Sequence, residues 1–270
     1  MLEKIKETAD FLKQRMPSYP TTGIILGTGL GNLVTKLTET TEFPYETIPN
    51  FPVSTVEGHS GKLIIGKLGG KDVLAMQGRF HYYEGYDMQQ VTFPVRVMYA
   101  LGIRNLLVSN ASGGMNPDFE IGDLMIITDH INLFPEHPLR GKNHKELGTR
   151  FPDMSEAYSV KLIQKAKEIA ARNSIRVVEG VYVGTTGPTF ETPAEYKYFR
   201  IIGGDAVGMS TVPEVIVANH AGMNVFGISI ITDLGVPGKI VEVTHEEVQD
   251  IGNKAQPLMT QIMTELVADL

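Results

Sequence analysis

The chain has 270 residues, of which 42% are hydrophobic and 20% charged, and these proportions are typical of a globular protein with a full core. Its formal net charge of −7 argues against non-specific nucleic-acid binding, and its lack of cysteine excludes disulfides and thiolate metal sites. No apolar run reaches the roughly 18 residues that span a bilayer, so no membrane partner is predicted. Residues 1–16 carry charges throughout and lack the apolar core of a signal peptide, and we therefore predict a cytoplasmic protein.

The apolar pattern predicts a succession of helices and strands. Apolar residues from Ile5 to Met16 recur at spacings of three and four, which predicts an N-terminal helix that Pro17 closes. Apolar runs predict strands at 23–27, 105–110, 124–130 and 176–184, and a hairpin over 63–78 that turns at Gly69-Gly70. Further helices are predicted at 93–103, 159–172 and 244–268, the last kinked at Pro257. Between residues 193 and 232, helix, strand, helix and strand alternate.

This alternation predicts an α/β fold with a mixed or largely parallel sheet. The chain contains no linker-like segment, low-complexity segment or internal repeat, so residues 1–270 are predicted to form a single domain. The stretch 134–158 has the weakest periodicity and is long for a passive connection, which favours a functional loop there.

Ligands of open α/β sheets collect at the carboxyl ends of strands, and several predicted strand ends carry polar residues. GTGLG at 27–31 brings glycine amides and the Thr28 hydroxyl to the first strand end, which favours an oxyanion loop. It does not fit the dinucleotide fingerprint Gly-x-Gly-x-x-Gly, because position 32 is asparagine.

The segment GRFHYYEGY at 78–86 offers a second polar strand end. Arg79 and His81 are two residues apart, so in an extended segment they point to the same side, and a guanidinium suits phosphate. The alternative is a surface arginine and a histidine that is satisfied within the core. His59, between glycines in EGHSGK, has the same two interpretations.

Three further segments carry candidate groups. SNASGG at 109–114 is predicted to be a loop that presents the Ala111 N–H, and Ser210 lies at a strand-to-helix junction that can face an anion. The alternative for Ser210 and Thr211 is that one of them only caps the helix. Asp233 is at a strand tip, where it can exchange a proton with a substrate, and His245 opens the final helix, where a solvated histidine is the alternative.

The segment TGPTFETPAE at 186–195 has the chemistry to bind a flat heterocycle. Phe190 offers an aromatic face, and Glu191 offers two acceptor oxygens for ring N–H groups. Pro188 and Pro193 stiffen the segment. The alternative is a surface loop with an exposed glutamate and a core phenylalanine.

Together, GTGLG, HSG, GRFHYYEGY, NASGG, GPTFETPAE, GMSTVPEV and THEEV resemble the trimeric purine nucleoside phosphorylases in order and spacing, from about residue 20 to 250. The resemblance implies a single α/β domain with a twisted mixed sheet surrounded by helices. It implies reversible phosphorolysis of purine (deoxy)ribonucleosides to base and sugar 1-phosphate, in purine salvage. Inorganic phosphate is a co-substrate, and neither a metal nor an organic cofactor is implied.

The resemblance also assigns roles to residues by motif. The phosphate would be held by Thr28, Arg79, His81, the Ala111 backbone and Ser210, with His59 over the pocket. The sugar would contact Tyr83, Met209 and His245, and the base would be held by Phe190, Glu191 and Asp233. Of these, His81, Glu191, Asp233 and His245 would act in catalysis. Phe151 would close the sugar pocket of a neighbouring subunit in a homotrimer.

Asp233 departs from the family, whose usual residue there is asparagine. A protonated carboxyl could donate to N7 of a 6-aminopurine, so the alternative is a phosphorylase that prefers adenosine or methylthioadenosine. His245 favours a substrate with a free 5′-hydroxyl. A nucleoside-binding protein without catalytic activity would not need the phosphate-pocket residues Arg79, His81 and Ser210, so their presence argues against that alternative. The GTGLG spacing argues against a nucleotide-dependent oxidoreductase.

Overall fold

Nine strands of the chain form one mixed sheet. The structure is a computed structural model, and it describes residues 1–27, 30–53 and 61–270. The strands are β1 (Thr22–Leu26), β2 (Thr38–Pro44), β3 (Lys62–Leu68), β4 (Lys71–Gln77), β5 (Asn105–Gly114), β6 (Leu124–Asn132), β7 (Val177–Gly184), β8 (Ala206–Gly208) and β9 (Asn224–Leu234). The helices are α1 (Leu2–Lys13), α2 (Met88–Ala100), α3 (Val160–Arg172), α4 (Pro193–Ile201), α5 (Val212–His220) and α6 (His245–Ala268).

Half of the sheet closes on itself. The strand order is β2-β3-β4-β1-β5-β8-β7-β6-β9, and β5 also pairs with β9 in parallel along ten residues. Strands β5, β8, β7, β6 and β9 therefore form a closed ring, from which β1 to β4 extend as an open wing. Because β1, β4, β5 and β9 run parallel to their neighbours in this series, their carboxyl ends meet at one edge.

Helices cover both faces of the sheet, as the alternating pattern predicts. Helices α1, α2 and α5 pack together, and α3 packs against α6. The apolar stripe of α6, which includes Met259, Ile262 and Leu266, is buried. These helices separate the sheet's two apolar clusters from water, which supplies the main favourable free energy of the fold.

The predicted hairpin is confirmed. Strands β3 and β4 pair antiparallel from Lys62–Gln77 to Leu68–Lys71. Gly69 and Gly70 have φ of 57° and 80°, the positive values that a two-residue hairpin turn needs at both central positions. The segment 134–158 is irregular apart from a 3-10 turn at Lys145–Leu147, in agreement with its weak periodicity.

Two predictions from the sequence need correction, and one strand was missed. Strand β2 has no clean apolar alternation and was not predicted; it is an edge strand with one buried residue, Phe43. Helix α2 begins at Met88 rather than 93, because Asp87 and Gln90 form a capping box. The predicted loop at 109–114 is the second half of β5, so Ala111 lies in a strand opposite Ile230. Its small residues carry a weak strand signal, but pairing with β9 holds them extended.

No helix within the described part of the chain is both long and apolar enough to cross a membrane.

Candidate active site

A cavity of about 500 Å³ opens where the carboxyl ends of the parallel strands meet. Ten of the residues singled out from the sequence line it, namely Arg79, His81, Tyr83, Ala111, Phe190, Glu191, Met209, Ser210, Asp233 and His245. They come from segments separated by up to 166 residues of sequence, so the fold brings the predicted residues to one place. No group of three or more histidine, aspartate or glutamate side chains arranged for a metal ion occurs among residues 1–27, 30–53 and 61–270.

Three other predicted residues are not in this set. Thr28 and His59 lie outside the described residues. Phe151 does not line the cavity; it lies on the irregular segment with 86% of its surface exposed and only the Arg150 guanidinium over its ring, at 5.8 Å.

Arg79 forms the cationic end of the cavity and is 1% exposed, so the interpretation as a surface arginine is wrong. Its Nε donates to Glu214 Oε1 over 2.9 Å, and Nη1 donates to the Ser109 carbonyl over 2.8 Å and to Ser210 Oγ over 3.1 Å. Burial of a guanidinium is tolerable only with such partners. These bonds fix its plane at the cavity wall before any ligand arrives.

His81 is oriented by Glu84, three residues later. Oε1 of Glu84 accepts from the His81 backbone N–H over 2.8 Å and contacts Nδ1 over 2.9 Å. Burial lowers the pKa of His81, although its hydrogen bond to Glu84 acts in the opposite direction. A neutral ring whose Nδ1 proton bonds to a carboxylate has Nε2 as an acceptor, which suits a phosphate oxygen that carries a proton.

The turn before α5 holds Ser210 in place. Thr211 has φ 72° and ψ −54°, and Val212 N–H donates to the Ser210 carbonyl over 2.8 Å. This is a γ-turn of the rare, strained type. The prediction that Ser210 or Thr211 merely caps the helix is wrong, because no side chain caps α5, and Thr211 Oγ1 instead accepts from Asn110 Nδ2 over 2.8 Å. The turn aims the Ser210 hydroxyl at Arg79.

A buried chain of hydrogen bonds continues from this turn beneath the cavity floor. Asn110 Oδ1 accepts from Ser229 Oγ over 2.5 Å, and Ser229 Oγ lies 2.6 Å from Ser112 Oγ. These hydroxyls and the amide lie on neighbouring strands β5 and β9, which explains the polar residues in otherwise apolar strands. Because each group has a partner, their burial is compatible with a stable fold.

The opposite end of the cavity carries two carboxyl groups. Glu191 lies just before α4, beside Phe190, which is 41% exposed and so not the core residue of the alternative interpretation. Burial raises the pKa of Glu191 to about 7, with a smaller contribution from the nearby Asp233. Thr185 Oγ1 is its hydroxyl neighbour, at 3.4 Å. Glu191 can therefore accept or donate a hydrogen bond near neutral pH.

Asp233, near the end of β9, is 6% exposed. The Tyr196 hydroxyl donates to its Oδ2 over 3.0 Å, and the Thr232 hydroxyl donates to Oδ1 over 3.0 Å. Burial raises the pKa of Asp233, while the bonds from Thr232 and Tyr196 act in the opposite direction. Burial thus favours the protonated form of Asp233, and a protonated carboxyl can donate a hydrogen bond to a ring nitrogen.

His245 begins α6, whose N-terminus is closed by a capping box between Thr244 and Glu247. Its ring is exposed at the cavity mouth, and Nε2 lies 3.0 Å from Gln249 Nε2. The position fits a group that contacts the outer end of a ligand.

Four residues that position the site were not found from the sequence. They are Glu84, Asn110, Tyr196 and Glu214, and each acts through a predicted residue by a hydrogen bond described above. The one available signal for Glu84 was its place three residues after His81, which is the spacing of a capping box. Glu214 and Tyr196 carry no local signal.

The arrangement combines a fixed cation and hydroxyl at one end with an aromatic face and two protonatable carboxyls at the other. The first set suits a phosphate group. The second suits a nitrogen heterocycle with donors and acceptors on its edge. A substrate that spans the cavity would place its reacting centre between them.

Known proteins are similar to this chain in sequence and in fold. A model of the phosphorylase superfamily matches residues 21–268. Purine nucleoside phosphorylase 1 of Geobacillus stearothermophilus is 54% identical over 266 residues, which cover 98% of this chain and 97% of that relative. A purine nucleoside phosphorylase of Schistosoma mansoni in complex with adenosine superposes with a TM-score of 0.95 at 42% identity, covering 100% of this chain and 98% of that chain. The structure of a schistosoma purine nucleoside phosphorylase in complex with hypoxanthine also superposes with a TM-score of 0.95, at 41% identity.

Proposed function

The chain belongs to the phosphorylase superfamily and is an enzyme of purine nucleoside phosphorolysis, and we propose that the reaction takes place in the cavity described above. The observation that carries this assignment is the presence, in one cavity, of a buried arginine at one end and two desolvated carboxyls at the other. Phosphate binds at the Arg79 end and the purine at the Glu191 end, and the sugar lies between them.

The phosphate end supplies and positions the nucleophile. Arg79 and the Ser210 hydroxyl hold the phosphate. Nε2 of neutral His81 accepts a hydrogen bond from the phosphate oxygen that still carries a proton. Holding the attacking oxygen next to the sugar removes much of the entropic barrier of a reaction between two molecules. The phosphate charge also stabilises the positive character that the sugar carbon develops as its bond to the base breaks.

The base end assists departure of the purine. As the bond breaks, electrons flow into the ring and N7 becomes more basic. The Asp233 carboxyl, which burial favours in its protonated form, donates a hydrogen bond to N7, while Phe190 stacks on the ring. Glu191 binds the opposite edge of the ring, and it accepts from N1–H of a 6-oxopurine when ionised.

Asp233 also favours acceptance of 6-aminopurines. A protonated carboxyl presents one donor and one acceptor, which match N7 and the exocyclic amine of adenine. A 6-oxopurine offers two acceptors there, so one of them faces the acceptor oxygen. We therefore propose adenosine as a substrate beside inosine and guanosine. The methylthioadenosine alternative has no support in the relatives' names, which are purine nucleoside phosphorylases.

We further propose a homotrimer, in which Phe151 of one subunit completes the sugar pocket of the next. The supporting observations are the resemblance, which assigns Phe151 to a neighbour's sugar pocket, and its exposure of 86% in the single chain, which leaves the ring accessible to another subunit. A role in purine salvage and a cytoplasmic location complete the proposal, with no partner beyond nucleoside, phosphate and the other subunits.

The decisive assay is release of free base from adenosine, inosine and guanosine, with and without phosphate. Phosphorolysis requires release that saturates with phosphate and yields one sugar 1-phosphate for each base. Base release that is independent of phosphate would contradict the assignment of the Arg79 end, and binding without release would indicate a nucleoside-binding protein.

A further inference from the structure

Asp233 receives hydrogen bonds from two hydroxyl groups, one on each carboxyl oxygen. The Tyr196 hydroxyl, on α4, donates to Oδ2 over 3.0 Å. The Thr232 hydroxyl lies 3.0 Å from Oδ1 but also 3.3 Å from the Ser112 carbonyl, and its single hydrogen serves both acceptors. Tyr196 does not line the cavity, so it influences a ligand through the carboxyls that it contacts, Asp233 and the neighbouring Glu191. Its hydroxyl is one of the two that donate to the Asp233 carboxyl, and it reaches the oxygen that Thr232 does not.

Two glycines make room for this pair. A Cβ at position 235 would lie 2.1 Å from the Tyr196 ring, and a Cβ at position 113 would lie 2.8 Å from Asp233 Oδ2 and 3.2 Å from the Tyr196 hydroxyl oxygen. Any side chain at either position would displace the ring or the carboxyl. The ring is 4% exposed and is therefore held in one orientation by its surroundings.

We propose that Tyr196 is a positioning residue that directs the proton of Asp233 toward the purine and thereby determines the preference for 6-amino over 6-oxo purines. The inference rests on the proposed contact of Asp233 with the base. Each carboxyl oxygen has two lone-pair positions. With Tyr196 and Thr232 donating from the protein side, the remaining positions face the cavity, and the acid's proton occupies one of them.

The consequence for substrate choice follows from hydrogen-bond matching. Directed into the cavity, the O–H donates to N7 and the other oxygen accepts from the 6-amino group. Without the tyrosine hydroxyl, the acid's proton can turn toward the vacated side, and the carboxyl then presents only acceptors to N7. The loss is larger for adenosine, which uses both atoms of the carboxyl, than for inosine.

The titratable groups that face Asp233 are Tyr196, from α4, and Glu191, from the segment before it. The Tyr196 bond favours the ionised form of Asp233, because a hydroxyl donates better to a carboxylate than to an acid. Removing that hydroxyl therefore makes Asp233 easier to protonate. Misdirection of the proton and the change in its pKa are separate effects, and they can be measured separately.

The test is Tyr196→Phe, with Tyr198→Phe as the matched control, since Tyr198 is on the same helix but 53% exposed. The value of kcat/KM for adenosine and inosine is measured from pH 5 to 9, and the Asp233 carboxyl is titrated by carbon NMR. Below the Asp233 midpoint titrated in each protein, where the carboxyl is protonated, the adenosine-to-inosine ratio should fall about tenfold in Tyr196→Phe, the effect of one lost hydrogen bond. The Asp233 midpoint should rise, because a donor to the ionised form is removed. Tyr198→Phe should change neither.

Two outcomes would overturn the proposal: an unchanged adenosine-to-inosine ratio below the Asp233 midpoint, or an unchanged Asp233 midpoint, in a folded Tyr196→Phe enzyme. A lower melting temperature with neither change would indicate a purely structural tyrosine. If that variant does not fold, 3-fluorotyrosine at position 196 provides a stronger donor in nearly the same volume, and it should lower the midpoint; no change in the midpoint would again overturn the proposal.

Asp233→Asn separates this inference from the function on which it rests. If that variant leaves the ranking of nucleosides unchanged, the contact of Asp233 with the base is wrong. If it changes the ranking while Tyr196→Phe does not, the contact stands and the role of Tyr196 is wrong.

Discussion

The two ends of the cavity differ in the charge of their side chains, which is fixed at one end and depends on pH at the other. At the phosphate end, Arg79 is an always-charged group that three hydrogen bonds hold in place, and it is fully buried. At the base end, Glu191 and Asp233 are carboxyls whose pKa burial raises, so their charge depends on pH. A fixed cation suits a ligand that is always anionic. Carboxyls that change protonation suit a ring whose edge carries both donors and acceptors.

The comparison predicts that disruption of the phosphate end has the largest effect. Arg79→Ala would leave Glu214 buried without its cation, which itself destabilises the fold by about 3–5 kcal/mol. The double variant Arg79→Gln, Glu214→Gln avoids that stranded charge. We expect kcat/KM for phosphate to fall at least 100-fold, about 3 kcal/mol, with the phosphate KM raised.

Initial rates at varied phosphate give this number, and the melting temperature shows that the double variant is folded. Arg104, an exposed arginine stacked on Tyr99, provides a control, because Arg104→Gln should leave phosphate saturation unchanged. Ordinary phosphate saturation in the folded double variant would contradict the assignment of this end.

The same contrast separates what the sequence reveals from what it conceals. Arg79, His81 and Ser210 were predictable, because each stands at a strand end with a side chain suited to an anion. Their partners were not, because Glu214 is 135 residues from Arg79 along the chain and is brought next to it by the fold, in which the ring of strands closes. That closure depends on β5 pairing with β9, more than 100 residues later, and no local pattern encodes such a pairing.

At the base end, the sequence indicated Phe190, Glu191 and Asp233 but not the protonation states of the two acids. A carboxyl's pKa depends on its burial and neighbours. Tyr196 is one of the neighbours that affect the pKa of Asp233, but in the sequence it is only one of several aromatic residues in helix α4. The sequence therefore predicts the groups that line the cavity better than the groups that position them.

Asp233→Asn tests whether the base end depends on a protonated carboxyl. The asparagine amide donates at any pH, so the decline in adenosine phosphorolysis as pH rises through the Asp233 pKa should disappear. Preference should shift toward inosine and guanosine by about tenfold or more, the effect of one mismatched hydrogen bond. The measurement is kcat/KM for the three nucleosides between pH 5 and 9. An unchanged ranking with an unchanged pH profile would show that Asp233 does not donate to the base.

Phe151 belongs to neither end, and its removal should affect only the sugar pocket. In a trimer, Phe151→Ala should raise the nucleoside KM about tenfold, the effect of burying one aromatic side chain, and leave the phosphate KM unchanged. Tyr19→Ala, at another exposed aromatic residue, provides a control and should leave the nucleoside KM unchanged. Light scattering at assay concentration tests the premise, because a fully active monomer would refute a site shared between subunits.

The smallest expected effect concerns Glu191, whose pKa of about 7 lies within the working range. The ionised form accepts N1–H of a 6-oxopurine, so kcat/KM for inosine should rise, by less than tenfold, as pH rises through about 7. Glu191→Gln should flatten that rise.

The stability of the fold should also depend on the protonation of Glu191, but it should change with pH in the opposite direction. Because the folded chain retains this proton to higher pH than the unfolded chain, the free energy of unfolding should fall as pH rises from 4.5 to about 7, and less so in the variant. Glu195→Gln is the matched control, since hydrogen bonds from Thr192 lower the pKa of that exposed carboxyl. Because the Glu195 charge is only a minor cause of the raised Glu191 pKa, this variant should keep both pH dependences and at most move their midpoint slightly lower. If Glu191→Gln and wild type share one pH profile for inosine and for unfolding, Glu191 does not change protonation near neutrality, and the contrast between the two ends rests on Asp233 alone.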